Sequence, residues 1–343
     1  LESVHFTWTV KHTSAAIGDT LTPRPAFLQL DRYEIHLGQG SNVTSFVPGD
    51  VAHNLWINSV TDERYRVEAS THGMSLSDKA AIEPFPVAAG AGEEVIRTYR
   101  VQLKSIFDNS RLFLPSIDGD VRVRIYLQEV MHDAKVGAGV ISLTNAQLIC
   151  DFVELMSADW NAQYALGKSA TGVSHRFIDL HRSTHPFAVS SGTTITQVLS
   201  SHSSSYCAGL LVYFRSQNTN QQSLQHAITS MQLTDDKNAK LTEILSSELM
   251  LHKVFPTTGF AGNAVVSANA TCYFLPFCMD LSASLHHGVV SGGISFAEAR
   301  NKLEFTSSAA LAGVNSGNIQ LEVVSMNFST LTIRGGKVHV SHS

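Results

Sequence analysis

The chain has 343 residues, 43% apolar and 15% charged, with 24 Lys and Arg against 29 Asp and Glu for a net charge of −5. No sizeable basic block is present, which argues against nucleic acid as the main partner, and no run approaches the ~18 apolar residues of a membrane-spanning helix. The length allows two domains of about 170 residues, each large enough to bury a core without staples. A charged fraction below the usual value of about 25% suits a surface that is covered by neighbours. The opening Leu1-Glu-Ser-Val is compatible with trimming and carries no targeting signal.

Residues 2–10 alternate in part, with Val4, Phe6, Trp8 and Val10 on one side, and predict a strand. Thr13 to Pro25 reads as loop, and Phe27 to Leu37 as strand, closed by Gly38 and Gly40. Short strands are expected at Asn54–Asn58 and Arg64–Glu68, followed by a soft insertion over 70–93. Glu94 to Leu103 is again extended. Leu103, Ile106 and Phe107 then share one helical face, predicting a short helix over Leu103–Asn109 that must lean on a sheet. Leu112–Ile117 and Val121–Leu127 read as strands joined at Asp118-Gly119-Asp120, Val136–Gly139 as a loop, and Gln147–Leu155 as a closing strand. Ala158 to Ser174 is the connection between halves, with a helical turn near Trp160–Leu166.

The second half opens with strands at Pro186–Val189 and Thr193–Leu199, then the most apolar strand, Cys207–Phe214. Within a long insertion over 217–262, Leu241 to Leu251 shows helical spacing. Val265–Leu275 is extended, Phe277–Leu285 repeats the short helical segment, and Phe296–Phe305, Gln320–Phe328 and Leu331–Val340 complete the strands.

Two stretches look like copies. Tyr99-Arg-Val-Gln-Leu103 and Tyr273-Phe-Leu-Pro-Phe277 open them, and the tetrads Asn145-Ala-Gln-Leu148 and Asn318-Ile-Gln-Leu321 close them. The tyrosines are 174 residues apart and the tetrads 173, an offset that predicts two copies of one fold. Many short strands in duplicate predict an all-β protein of two tandem jelly-roll β-sandwiches, a double jelly roll, with short helices in the inter-strand insertions. The expected domains are residues 1–160 and 161–343.

Searching the same residues for chemistry yields no catalytic, cofactor-binding or metal residues, and no cofactor. His286-His287 would point to opposite sides of a strand, and His175, His181 and His185 fall in a polar linker without metal-ligand spacing. No Gly-x-Ser-x-Gly elbow occurs, and Gly38-Gln-Gly40 and Gly90-Ala-Gly92 read as turns. Asp235-Asp236 reads as an acidic turn before a helix. The sequons at Asn42, Asn269 and Asn327 read as chance matches. Cys150, Cys207, Cys272 and Cys278 lack Cys-x-x-Cys spacing and are expected to be buried free thiols. Arg122 and Arg124 allow two readings, a solvated sheet face or an ion-paired contact to a neighbouring subunit.

Three places resemble the double jelly-roll major capsid proteins of tailless icosahedral viruses, many of which enclose a membrane. They are Tyr99 to Leu127 with its Leu112-Phe-Leu-Pro115, then Gly209-Leu-Leu-Val-Tyr-Phe-Arg215, then Tyr273-Phe-Leu-Pro-Phe-Cys-Met-Asp-Leu-Ser282. They cover about a third of the chain, and the first half lacks the aromatic-rich partner strand common in the large eukaryotic-virus members. The resemblance implies a structural, non-enzymatic protein of the virion, assembled inside the host cell. It implies a homotrimer forming pseudo-hexagonal capsomers, with other capsomers, penton and minor capsid proteins, and any underlying viral membrane as partners. The other class the pattern allows is a carbohydrate-binding or glycan-hydrolysing double β-sandwich. Only Trp8, Trp56 and Trp160 are on hand to build its sugar platform.

Overall fold

The computed structural model describes residues 1, 3–21, 30–39, 45–48, 90–103, 105–109, 112–127, 135–136, 138–187, 194–199, 206–216, 228–235, 237, 239–241, 245–246, 272–279, 290–296, 301–307 and 319–342. The strands expected at 54–58 and 64–68 and most of the 70–93 insertion lie outside these residues, as do Asn42, Trp56, Asn269, His286 and His287.

In the first half the strands are β1 (Ser3–Thr13), β2 (Thr20–Leu21), β3 (Leu30–Gly38), β4 (Ser45–Pro48), β5 (Glu94–Gln102), β6 (Asp120–Leu127), β7 (Lys135–Val136) and β8 (Val140–Asp151). They form two three-stranded antiparallel sheets, β5-β1-β8 and β4-β3-β6, with β2 and β7 as a small pair. Alternation decides the faces: Val4, Phe6, Trp8 and Val10 of β1 and Tyr33, Ile35 and Leu37 of β3 join one core cluster. Trp8 is fully buried and stacks on Phe6 with ring centroids 5.0 Å apart. The expected helix after Leu103 is present as the single turn α1 (Ile106–Asn109), its Ile106 and Phe107 buried in the same cluster.

Helix α2 (Ser157–Lys168) carries the chain across the connection, longer than the one turn expected there. The second half holds β9 (Val173–Phe187), β10 (Thr194–Val198), β11 (Tyr206–Ser216), β12 (Ile228–Thr234), β13 (Leu245–Ser246), β14 (Cys272–Pro276), β15 (Ile294–Ser295), β16 (Lys302–Ser307), β17 (Ile319–Arg334) and β18 (Lys337–His342). Its sheets run β10-β16-β12-β13 and β9-β17-β11-β14, with β18 on the end of β17 and β15 on β11.

The repeat holds in topology. Tyr99 lies on β5 and Tyr273 on β14, each at the edge beside a central strand, β1 or β11. On the other side of that strand comes β8, which bears the first tetrad, or β17, which begins at Ile319 of the second, Asn318 lying outside the described residues. Asn145 takes φ +52° at a bulge where β8 carries an extra residue against Trp8. That left-handed conformation is one asparagine adopts readily.

Several elements differ from expectation. Leu112–Ile117 is not a strand but holds a 3-10 turn, Leu114–Ser116, with Pro115 inside its first turn. Accordingly β6 pairs with β3 rather than with that segment. The polar linker holding His175, His181 and His185 is the 15-residue strand β9, held by β17 along its length. The 217–262 stretch is not only decoration: β12 and β13 are sheet strands, and Leu245, expected on a helix, pairs with Met231. Phe277 to Met279 is not helical, Cys278 instead bridging to Gly292. The two final strands are one 16-residue strand, β17, and its hairpin partner β18.

The Gly335-Gly336 turn of that hairpin docks on Asp118 of the first half and on the end of α2. Gly336 O accepts from Asp118 N at 2.7 Å, and Gly335 N donates to Ser169 O at 3.0 Å. Both glycines have positive φ, as a two-residue hairpin turn of this hand requires. A Cβ at Gly336 would strike the Asp118 carboxylate, itself ion-paired with Lys168, whereas a Cβ at Gly335 would meet open space. Gly336→Ala is therefore expected to cost roughly 1–3 kcal/mol and Gly335→Asn under about 1 kcal/mol. Urea midpoints of the two variants check this, and equal midpoints would show that the turn is not clamped.

Candidate assembly surface

Among the described residues, the longest run of exposed apolar side chains starts on β8 and follows the chain into α2. It includes Leu148, Phe152, Val153 and Met156, the last 80% exposed. On α2, Trp160 stacks on Tyr164 at 5.1 Å and meets Phe113 edge-on at 5.7 Å. The helix is set down there because Gly167 has no side chain and lies directly against Ser116. Leu166, on the same helix, stays 44% exposed. An exposed apolar run of this kind is a candidate contact surface. The sequence reading inferred such surfaces from low charge but did not locate them; the apolar run Leu148 to Met156 was the available signal.

Between the halves lies a charge lattice. The Arg32 guanidinium bonds Asp31 at 2.8 Å and Glu34 at 3.3 Å, and covers the Tyr126 ring at 3.8 Å. Tyr126 donates to Glu34 at 3.1 Å, and His36 stands 3.4 Å from the same carboxylate. Arg182 of β9 reaches Asp31 at 3.6 Å and Glu322 at 4.0 Å, and Thr184 donates to Glu322 at 2.8 Å. Burial pushes the Glu34 pKa upward, but the hydrogen bonds from Arg32, Tyr126 and His36 outweigh it and hold it below the usual carboxylate range. Every carboxylate named here faces a cation or a donor. This arrangement ties β3 of the first half to β9 and β17 of the second.

The remaining candidates resolve individually. Burial lowers the pKa of His175 and His185 on β9. The Asp235 carboxylate accepts from Lys237 N at 2.9 Å and Ala239 N at 2.6 Å, closing a turn that no helix follows directly. No group of three potential metal ligands occurs among the described residues. Asn327 is 7% exposed on β17, which excludes glycosylation in the folded protein. Cys207 and Cys278 are buried, and burial pushes the Cys207 thiol up to about 12. Cys150, expected to be buried, is exposed. Arg122 is exposed and pairs with Asp120 of its own strand at 2.6 Å. Trp8 lies in the core, so it supplies no sugar platform. A pocket of about 270 Å³ between Arg176, Tyr206 and Phe328 contains a guanidinium but no carboxylate, imidazole or thiol in its lining.

Strand order, paired sandwiches and the repeated plan together define a double jelly roll, an architecture seen in viral major capsid proteins. No family model matches the chain, and no curated protein matches it in sequence. Solved structures do match in fold. The PBCV-1 VP54 structure fitted into a reconstruction of the virophage Sputnik is 11% identical, with a TM-score of 0.67 covering 100% of this chain and 90% of that one. The Faustovirus major capsid protein is 10% identical, with a TM-score of 0.62 over 96% of this chain and 85% of its own. The mavirus major capsid protein is 11% identical, with a TM-score of 0.54 over 99% and 83%.

Proposed function

We propose that this chain is the major capsid subunit of an icosahedral virus, a structural protein of the virion with no catalytic, cofactor or metal site. The observation that carries the reading is likeness over both halves at once to capsid subunits, at TM-scores up to 0.67. One jelly roll occurs in many unrelated proteins, whereas two in this tandem arrangement restrict the reading.

The working unit is a homotrimer. Each subunit supplies two like sandwiches, which we take as residues 1–160 and 161–343, so three copies place six around one axis in a near-hexagonal outline. The contacts are heterologous, the first half of one copy against the second half of the next, and the ring closes at three. Other capsomers, penton and minor capsid proteins and any internal membrane are then its neighbours. Permanent interfaces of this sort bury on the order of 2,000–5,000 Å² in total.

Native mass spectrometry of the purified protein at micromolar concentration is expected to give a species of three times the chain mass. A monomer at every salt concentration would leave the capsid reading without its mechanism.

A further inference from the structure

The two halves share one strand order but differ at one edge of each sheet. β5-β1-β8 matches β14-β11-β17, and β4-β3-β6 matches β13-β12-β16. In the second half two more strands close these sheets, β9 along β17 from Val173 opposite Ile333 to Phe187 opposite Ile319, and β10 along β16. Among the described residues, no strand lies on the corresponding edges of β8 and β6.

Exposure follows that difference. Leu148 stands in the tetrad of β8 where Leu321 stands in that of β17, yet Leu148 is 46% exposed and Leu321 0%. Cys150 is exposed, while Val323, at the same distance beyond its own tetrad, is fully buried. The whole of β8 from Thr144 to Asp151 is exposed, whereas β17 is buried without interruption from Leu321 to Ser329. On β6 the apolar Val121 and Leu127 are exposed, while Leu303 and Phe305 of its counterpart β16 are buried. The apolar surface of β8 is thus the side of a sandwich core that its second-half counterpart keeps covered.

We propose that the first half is closed by two further antiparallel strands, one along β8 and one along β6, supplied in cis by polypeptide on the N-terminal side of β1. The second half gives the order. There β9 and β10 come directly before β11, with β10 ending at Val198 and β11 starting at Tyr206. β1 is the counterpart of β11, so the same order puts the covering strands immediately ahead of β1. An open edge offers a row of backbone donors and acceptors that fixes such a strand, and alternate apolar side chains fill the gap over Leu148. This inference rests on the fold and not on the oligomeric state.

The test compares residues 1–343 with the natural polypeptide translated from the uninterrupted reading frame, both held below the concentration at which either self-associates. The readouts are iodoacetamide labelling at Cys150, mapped by mass spectrometry, and amide hydrogen exchange across β8, β6 and β17. In residues 1–343 Cys150 is expected to label while Cys207 and Cys278 do not, and β8 to exchange at least about tenfold faster than β17. In the longer polypeptide, Cys150 labelling and β8 and β6 exchange are expected to slow by at least about tenfold. Three outcomes would overturn the proposal. One is β8 already as protected as β17 in residues 1–343, since another part of this chain would then cover it. Another is protection that rises only with concentration of residues 1–343, which would make a second copy the occupant. The last is a natural polypeptide that leaves Cys150 and β8 unchanged, or that has no residues ahead of β1. Native mass spectrometry of the same samples reports the trimer separately, so the two readings fail independently.

Discussion

Arg182→Ala is expected to destabilise the protein by about 3–5 kcal/mol, although Arg182 lies in none of the hydrophobic clusters. Its guanidinium stands between Asp31 of the first half and Glu322 of the second, and the Glu322 side chain is only 2% exposed. Removing the cation leaves a desolvated carboxylate facing Thr184 without the guanidinium, and the cost is that of burying charge without its counter-charge. Replacing charges on both sides costs less: the pair Arg182→Met with Glu322→Leu removes the desolvation along with the attraction and is expected to recover most of the loss. Chemical denaturation of the two singles and the double closes the cycle. If Arg182→Ala shifts stability by less than about 1 kcal/mol, the pair is no more than a surface contact and the lattice does not join the halves.

Trp8→Ala is expected to cost about 3–5 kcal/mol and to loosen the first half more than the second. Trp8 is fully buried, stacks on Phe6, and shares a cluster with Tyr33 and Leu103. Truncation leaves a cavity among close-packed side chains, beside the bulge at Asn145 that breaks the pairing of β8 with β1. Trp8→Phe keeps most of the apolar area and is expected to lose under about half as much. Hydrogen exchange resolved by segment is the measurement. Equal loosening of β12 and β16, which belong to the other core cluster, would contradict a first-half role.

Where the sequence was legible, one face of an element faced a core. β1, β3, β5 and β11 carry an alternating or strongly apolar pattern, and each lies where that pattern put it. β9 was missed because its sequence, Val173-Ser-His-Arg-Phe-Ile-Asp-Leu-His-Arg-Ser-Thr-His-Pro-Phe187, is polar for a strand. It owes its conformation to pairing with β17 rather than to its own propensity. β12 and β13 were hidden for a related reason: they are short, and the helical spacing of Leu241 to Leu245 is equally a product of chance in a stretch of few strong signals. Leu112-Phe-Leu-Pro115 looked extended because it is apolar, while Pro115 fixes a turn. The apolar run from Leu148 to Met156 was legible, but that it is exposed was not, for a different reason. Leu148 and Leu321 stand in equivalent tetrads with the same neighbouring glutamine, so no local signal separates the exposed one from the buried one. Only what lies on the adjacent edge decides.

β17 faces two ways. Val324, Met326 and Phe328 belong to the cluster that holds Trp8 and Tyr33, while Leu321 and Val323 belong to the cluster of the second half. On the ribosome this reverses the usual sequence in which an N-terminal domain folds while the rest is being made. The first sandwich gains part of its packed cluster from β17, which follows it by most of the second half, so its apolar face stays open until that strand has been made. A first half made alone lacks those side chains, so the two sandwiches reach their packed state together rather than one after the other.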